Sequence, residues 1–171
     1  MLILPMQFCL QMALYGETGK MNEEFITKSF IKFLMDKGWE ILSYDFPQSG
    51  TGVSLHLNQI FRQPKTKNEG MITPDIIAFK EGIGLISENK LYFEKQDIDK
   101  LEKLRRGVYS EGLNKVFQER QVKKLIFGII LPNIPNEVSK AQDYLAKVDF
   151  IFIVNEKGIC NIKYLQESIK I

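Results

Sequence analysis

The chain has 171 residues, of which 44% are hydrophobic and 26% are charged, and its formal net charge is +2 at pH 7. This length and composition are typical of one folded domain with a substantial core, and they exclude a largely disordered chain. The net charge is too small to indicate a nucleic-acid-binding protein by itself, so the local distribution of charge has to decide that question.

Residues 1–20 are predicted to form an apolar N-terminal extension. The apolar stretch from Met1 to Tyr15 lacks the basic leader of a secretory signal and is interrupted by Pro5. It is also shorter than the roughly 20 apolar residues that cross a bilayer. We expect it to pack on the domain or on a partner. No other segment has the composition of a membrane span, so a cytoplasmic protein without membrane contact is predicted.

The remaining segments alternate between helical and strand patterns, and they predict a single α/β domain over residues 1–171 with a mixed central sheet flanked by helices. The residues at 53–57 could add a short strand, and the long helix could break near Gly107 or Gly112. The other predicted elements are a helix at 21–37 ended by Gly38, strands at 39–46, 72–79 and 83–93, a helix at 97–120, a strand at 123–131, a helix at 136–147, and strands at 149–154 and 159–165.

Two carboxylates are predicted to face each other across the hairpin of the strands at 72–79 and 83–93. If Glu81 and Gly82 form its turn, Asp75 lies directly opposite Glu88, and Lys90 projects from the same face. A longer turn would shift this pairing. Opposed carboxylates in a buried sheet repel each other, and a divalent cation such as Mg²⁺ removes the conflict. A lysine beside such a cation can orient water and stabilise charge on a phosphate, which suggests phosphodiester hydrolysis.

The residues Thr73-Pro74-Asp75 and Glu88-Asn89-Lys90 resemble the signature of the PD-(D/E)XK, or restriction-endonuclease-like, nucleases. The order of predicted elements over residues 21–155 is also similar to the αβββαβ core of that family, with 156–171 as an additional C-terminal strand. The resemblance implies that Asp75, Glu88 and the Asn89 carbonyl hold the metal and that Lys90 positions or activates water. It implies Mg²⁺ as the cofactor, with Mn²⁺ able to substitute.

Many members of the family add a glutamate from the first helix, and either Glu23 or Glu24 could fill that position here. We favour Glu23 as the catalytic residue, because a helical wheel places it on the apolar side with Phe30 and Phe33.

DNA is the expected partner, and two segments are predicted to contact it. The basic loop residues Arg62, Lys65 and Lys67 precede Asp75 with few acids nearby. The segment at 45–50 resembles archaeal Holliday-junction resolvases, and Ser49 within it is assigned to DNA binding. A second basic group could contact phosphates or could form a solvated helix face, because acids interleave with it: Lys95, Lys100, Lys103, Arg105 and Arg106.

The expected function is a Mg²⁺-dependent endodeoxyribonuclease, either a restriction or defence endonuclease or the nuclease subunit of one. A structure-specific resolvase of the Holliday-junction type is the alternative, and a non-catalytic DNA-binding subunit is the rival from another class. A single active site cuts one strand, so a homodimer or a second nuclease or recognition subunit is expected. The N-terminal extension and the last strand pair are candidate interface elements.

Overall fold

The computed structural model describes residues 21–62 and 70–171. The N-terminal extension, Lys65 and Lys67 lie outside these residues. The described residues form a mixed α/β fold, in which one six-stranded sheet is flanked by helices. Its elements are α1 (Glu23–Asp36), β1 (Glu40–Tyr44), β2 (Ile76–Lys80), β3 (Ile83–Asn89), α2 (Lys95–Arg105), α3 (Ser110–Phe117), β4 (Lys124–Pro132), α4 (Pro135–Gln142), β5 (Phe150–Val154) and β6 (Cys160–Leu165), with short 3₁₀ turns at Gln59–Phe61 and Leu145–Lys147.

The strands lie in the sheet in their order along the chain, from β1 to β6. The two outer pairs at one edge, β1 with β2 and β2 with β3, are antiparallel, and so is the pair of β5 with β6 at the other edge. The central pairs, β3 with β4 and β4 with β5, are parallel. Parallel neighbours require crossover connections, and these contain α2, α3 and α4. The predicted mixed sheet is therefore confirmed.

Each face of the sheet carries its own hydrophobic core because successive side chains of a strand point to opposite faces. Helix α1 covers one face, where its apolar side packs on alternate residues of the central strands, among them Ile26, Phe30, Leu34, Leu85, Ile130 and Phe152. Helices α2 and α3 cover the other face, with Ile77, Ile86, Ile98, Leu101, Leu113 and Ile129 in the second core.

Helix α1 confirms the helix predicted at 21–37 and shows why it begins and ends there. The Asn22 side chain accepts a hydrogen bond from Phe25 N at 2.8 Å and caps the first turn. At the other end Gly38 has a φ of +80°, and the N–H groups of Gly38 and Trp39 donate to Met35 O and Leu34 O. This Schellman geometry needs a left-handed residue, which glycine supplies without strain.

Two expectations about element boundaries are wrong, and one alternative is confirmed. Residues 53–57 form no strand; only an isolated bridge joins Leu55 to Ile72, and β2 begins at Ile76. The break considered near Gly107 in the helix predicted at 97–120 is confirmed: the segment is divided into α2 and α3 there, because the φ of +75° at Gly107 is incompatible with a continuous helix. The helix predicted at 136–147 ends at Gln142, and a 3₁₀ turn follows it.

None of the helices in residues 21–62 and 70–171 has the length and hydrophobicity of a transmembrane segment.

Candidate active site

The turn between β2 and β3 sets the register that brings the two predicted carboxylates together. Glu81 and Gly82 have φ values of +47° and +85°, the pattern of a type I′ turn, whose twist matches that of the flanking strands. Lys80 then pairs with Ile83 and Ile76 pairs with Ser87. The predicted two-residue turn is confirmed. Asp75 directly precedes β2 and Glu88 directly follows Ser87 on β3, so the two residues lie just beyond the last pair of this ladder.

Asp75 is held at this position by backbone contacts on two sides. Its carbonyl accepts a hydrogen bond from Asp45 N at 2.7 Å, so that the residues after β1 lie against it. Its Oδ2 accepts a hydrogen bond from Asn89 N, also at 2.7 Å. The carboxylate thus takes the place of a ladder partner for β3, which fixes its orientation relative to Glu88 and the Asn89 backbone.

The Asn89 side chain points away from the carboxylates, toward α1. Its amide nitrogen donates to Thr27 Oγ1 at 3.1 Å, and its Oδ1 accepts from the Ser87 hydroxyl at 2.9 Å. The backbone of Asn89, and not its side chain, therefore adjoins Asp75. The resemblance likewise implied a role for the backbone carbonyl.

Glu88 is completely buried, with a relative exposure of 0%. Its Oε2 accepts a hydrogen bond from Lys100 Nζ at 2.7 Å, and the same ammonium donates to the Thr73 carbonyl. Among the described residues, the other oxygen, Oε1, has no hydrogen-bond partner. A buried carboxylate oxygen without a partner is energetically costly and calls for a cation or a donor that completes it.

Lys90 lies between two acids. Its Nζ is 3.9 Å from Asp75 Oδ2 and 3.9 Å from Glu23 Oε2. Glu24, in contrast, pairs with Lys28 at 2.7 Å on the more exposed side of α1. Of the two glutamates proposed from the first helix, Glu23 is therefore the one placed beside the signature residues.

Two further members of this cluster, Asp97 and Lys100 on α2, were not predicted from the sequence to belong to it. Asp97 is only 9% exposed, and its Oδ2 has no hydrogen-bond partner among the described residues. Lys100, one turn later on the same helix, contacts Glu88. The signal was present as an acid and a base three residues apart directly after the signature, but the same spacing is common on solvated helix faces.

Burial and like charge raise the pKa of every carboxyl group at the centre of the cluster. Burial raises the pKa of Asp75, against the opposing effect of Lys90. Burial, followed by the charge of Asp75, raises the pKa of Glu88 well above its ordinary value. Burial also raises the pKa of Asp97 to about 6. Burial alone would lower the pKa of Lys90, but the surrounding carboxylates, Asp75 foremost, raise it. The cluster thus holds excess negative charge in a poorly solvated place.

The residues predicted to contact DNA do not all lie beside the carboxylate cluster. The Ser49 hydroxyl donates to Asp45 Oδ1 at 2.7 Å, in the turn that follows β1. Gly52, just after this turn, packs closely against Thr73, because a Cβ added at Gly52 would lie only 2.5 Å from the Thr73 side chain. The turn therefore adjoins the site. Arg62 donates to the Leu57 carbonyl and lines a cavity with residues of α3, to which none of the clustered carboxylates contributes. Lys65 and Lys67 lie outside the described residues.

Part of the basic group on α2 has structural partners. Arg105 pairs with buried Asp149 at 2.9 Å and lies over the Phe127 ring, which ties α2 to β4 and β5. Lys100 is bound inside the cluster with Glu88. Lys100 is therefore not part of a solvated basic face, whereas Arg105 keeps 40% of its side chain exposed beside its ion pair.

Comparisons with known proteins leave the chain without an assigned family. It matches no protein-family model and no curated protein sequence at a significant level. A similar solved structure is that of an XisH family protein from Nostoc punctiforme, with 13% identity and a TM-score of 0.38 over 80% of this chain and 96% of that chain. A likeness at this level does not place the chain in that protein's family.

The cluster offers a cation two side-chain carboxylates and backbone oxygen. Within residues 21–62 and 70–171 no group of three or more His, Cys, Asp or Glu side chains is arranged to hold a metal. Mg²⁺, however, typically binds through one or two carboxylates and completes its shell with water and substrate phosphate. Asp75, Glu88 and the Asn89 carbonyl suit that mode of binding.

Proposed function

We propose that the chain is a Mg²⁺-dependent nuclease of the PD-(D/E)XK type that hydrolyses DNA phosphodiester bonds. The observation that carries the proposal is the closeness of Asp75 and Glu88, just beyond the last β2–β3 pair of Ile76 with Ser87, where burial and the charge of Asp75 raise the pKa of Glu88 and Lys90 Nζ lies 3.9 Å from Asp75. The order of α1, β1, β2, β3, α2 and β4 agrees with the αβββαβ core of that family.

A divalent cation fits this cluster because it would offset the negative charge of the buried carboxylates. Burial raises the pKa values of both Asp75 and Glu88, and the charge of Asp75 raises that of Glu88 further. Glu88 Oε1 has no partner among the described residues. Asp75, Glu88 and the Asn89 carbonyl would hold the metal, and Mn²⁺ is expected to substitute for Mg²⁺. When bound, the metal would polarise a phosphate oxygen and lower the pKa of coordinated water.

The chain's own residues would orient the reactants. Lys90 carries a raised pKa and stays protonated at neutral pH, so it can donate hydrogen bonds and stabilise charge on a phosphate, but it cannot accept a proton in that state. Glu23, whose Oε2 lies 3.9 Å from Lys90 Nζ, would help Asp75 to position the Lys90 ammonium. Ser49, Arg62, Lys65 and Lys67 remain the predicted contacts to DNA.

A resolvase acting on branched DNA is the second candidate. It is favoured by the position of the turn after β1, whose sequence resembles that of archaeal Holliday-junction resolvases. Asp45 N donates to the Asp75 carbonyl, so this turn is placed next to the proposed cutting centre, where it would contact the DNA being cut. A restriction or defence nuclease, acting as a homodimer or with a second subunit, remains the first candidate.

Cleavage of plasmid and four-way-junction DNA with Mg²⁺ tests the proposal. Asp75→Asn keeps an oxygen that can accept from Asn89 N but removes a metal-binding charge, and we expect it to reduce cleavage on the order of 100-fold or more. Asp143→Asn, the same change at an exposed residue after α4, serves as the matched control.

The outcomes distinguish the nuclease, the resolvase and the non-catalytic DNA-binding subunit. Cutting of plasmid that requires Mg²⁺ and Asp75 supports the nuclease, and a strong preference for four-way junctions favours the resolvase. If the wild-type protein cuts neither DNA under any divalent cation, or if Asp75→Asn cuts as well as Asp143→Asn, the nuclease proposal fails. Retained DNA binding without cutting would then favour the non-catalytic subunit.

A further inference from the structure

Lys100 occupies an unusual position for a lysine, because its ammonium reaches into the carboxylate cluster from a helix that otherwise packs on the core. Its Nζ lies 2.7 Å from Glu88 Oε2 and also donates to the Thr73 carbonyl. Glu88 is fully buried, while the Lys100 side chain is 21% exposed. The Lys100 ammonium thus approaches Glu88 from the partly solvated side. It is the cation that is hydrogen-bonded to Glu88 among the described residues.

The same carboxylate is proposed to bind the metal, and this creates a competition. A carboxylate that accepts from an ammonium and ligates a divalent cation has to hold two positive groups that repel each other at close range. In the metal-free protein the ammonium offsets part of the cost of burying Glu88. Metal binding at Glu88 therefore works against the Lys100 contact.

An alternative partner for Lys100 is already in place one turn earlier on α2. Asp97 is buried, and its Oδ2 has no hydrogen-bond partner among the described residues. Residues three positions apart in a helix lie on the same face, within reach of an ion pair. Burial raises the pKa of Asp97, and the charges of Lys90 and, to a smaller extent, Lys100 oppose that rise. A change in the lysine side chain alone would move the ammonium from Glu88 to Asp97.

We propose that Lys100 is a resident counter-cation that occupies Glu88 in the metal-free protein and transfers to Asp97 when a divalent cation binds. This inference rests on the proposed function only in so far as it requires a divalent cation at Asp75 and Glu88. It makes Asp97 a positioning residue that acts on the metal through Lys100.

Titration calorimetry with Mn²⁺ and no DNA is the first test. Lys100→Met removes the competing ammonium and keeps most of the side-chain volume, so we expect Mn²⁺ to bind roughly tenfold more tightly than to the wild-type protein. Lys103→Met, at an exposed position of the same helix, is the matched control and should leave the affinity unchanged. Unchanged or weaker binding by Lys100→Met overturns the proposal.

A double-mutant cycle separates competition from a general effect of charge. Asp97→Asn removes the negative charge that would hold the displaced ammonium, so we expect weaker Mn²⁺ binding when Lys100 is present and little effect in the Lys100→Met background. If Asp97 acted on the metal directly, its loss would weaken binding equally in both backgrounds. Equal effects in the two backgrounds therefore overturn the transfer to Asp97.

A measurement on the wild-type protein keeps the test independent of whether the variants fold. The ¹⁵N signal of the Lys100 ammonium, assigned with Lys100→Arg, is expected to shift on saturation with Mg²⁺, while the Lys103 signal stays in place. A Lys100 signal that does not change at saturation overturns the proposal.

Failure of this inference and failure of the proposed function are distinguishable. If Mn²⁺ binds and Mg²⁺ supports DNA cleavage but the Lys100 measurements do not change, only the counter-cation role is lost. If neither the wild-type protein nor Lys100→Met binds Mn²⁺, the inference and the metal-dependent function fail together.

Discussion

At the scale of single residues, the surroundings of Lys90 limit what it can contribute to catalysis. Its ammonium lies 3.9 Å from a carboxylate on either side, and these charges raise its pKa although burial opposes them. A lysine held in its protonated form is suited to stabilising negative charge as it develops on a phosphate. It is poorly suited to removing a proton from water. The family resemblance implied that Lys90 positions or activates water, and of these two roles this environment favours positioning.

Lys90→Met is therefore expected to slow DNA cleavage by about 100- to 1,000-fold, a typical effect of losing one electrostatic contact to the transition state. Because the variant removes a positive charge beside Asp75, Mn²⁺ binding should not weaken. Steady-state cleavage rates and calorimetry measure the two effects separately. Lys95→Met, an exposed position at the start of α2, is the control. Loss of Mn²⁺ affinity in Lys90→Met would instead mean that Lys90 has a structural role in the metal site.

At the scale of secondary-structure elements, the two-residue turn between β2 and β3 decides whether the site exists. Side chains alternate between the faces of a strand, so a shift of one residue would carry Glu88 to the face covered by α1. The turn needs positive φ at both central residues, yet Glu81, with a φ of +47°, has a side chain that disfavours this conformation. Gly82 meets the requirement without strain.

Glu81→Asn is expected to increase the free energy of unfolding by about 0.5–1 kcal/mol, because Asn-Gly is the preferred pair for this turn. Urea denaturation followed by circular dichroism measures the change. Glu119→Asn makes the same substitution at an exposed turn residue without positive φ, so it should give no comparable gain. A loss of stability in Glu81→Asn would show that the Glu81 side chain has a favourable contact that outweighs the backbone preference.

Elements governed by local chemistry could be predicted from the sequence, and those governed by tertiary contact could not. The end of α1 at Gly38 and the Glu81-Gly82 turn follow from backbone preferences of two or three neighbouring residues. The bridge of Leu55 to Ile72 depends on a distant partner, and no local pattern distinguishes it from a short strand. Likewise, the acid–base spacing of Asp97 and Lys100 is the same on a solvated helix as in this buried cluster. Only the packing of α2 on the sheet distinguishes the two.

At the scale of the whole molecule, the site places buried carboxylates where their ionisation opposes folding. The pKa values of Asp75, Glu88 and Asp97 are all raised, so the folded protein binds more protons than the unfolded chain over the range between the ordinary and the raised values. For Asp97 this range extends from 3.8 to about 6. Stability conferred by such a group is complete below the lower value and is lost as the pH rises through the upper one.

Carboxylates with the opposite shift act in a different range of pH. Ion pairs and hydrogen bonds lower the pKa of Glu40, Glu102 and Glu137, led by contacts with Arg120, Lys147 and Lys140 respectively. Their contribution to stability is present above the ordinary glutamate value of 4.5 and declines only as the pH falls below it. Between about pH 5 and pH 7 the buried cluster therefore determines the sign of the pH dependence.

The metal-free protein is accordingly expected to unfold at a higher temperature at pH 5 than at pH 7.5, measured by thermal denaturation in the presence of EDTA. Asp97→Asn cannot ionise, so it should be more stable than the wild-type protein at pH 7.5, by roughly 1–3 kcal/mol, and should show a smaller difference between the two pH values. Asp143→Asn, at an exposed site, should keep the wild-type pH dependence. If Asp97→Asn were less stable than the wild-type protein at pH 7.5, the Asp97 carboxylate would be contributing a favourable charge interaction to the fold, and burial would not be its dominant influence.

A saturating divalent cation should reverse the wild-type trend, because it binds the ionised carboxylates and stabilises the folded protein most at neutral pH.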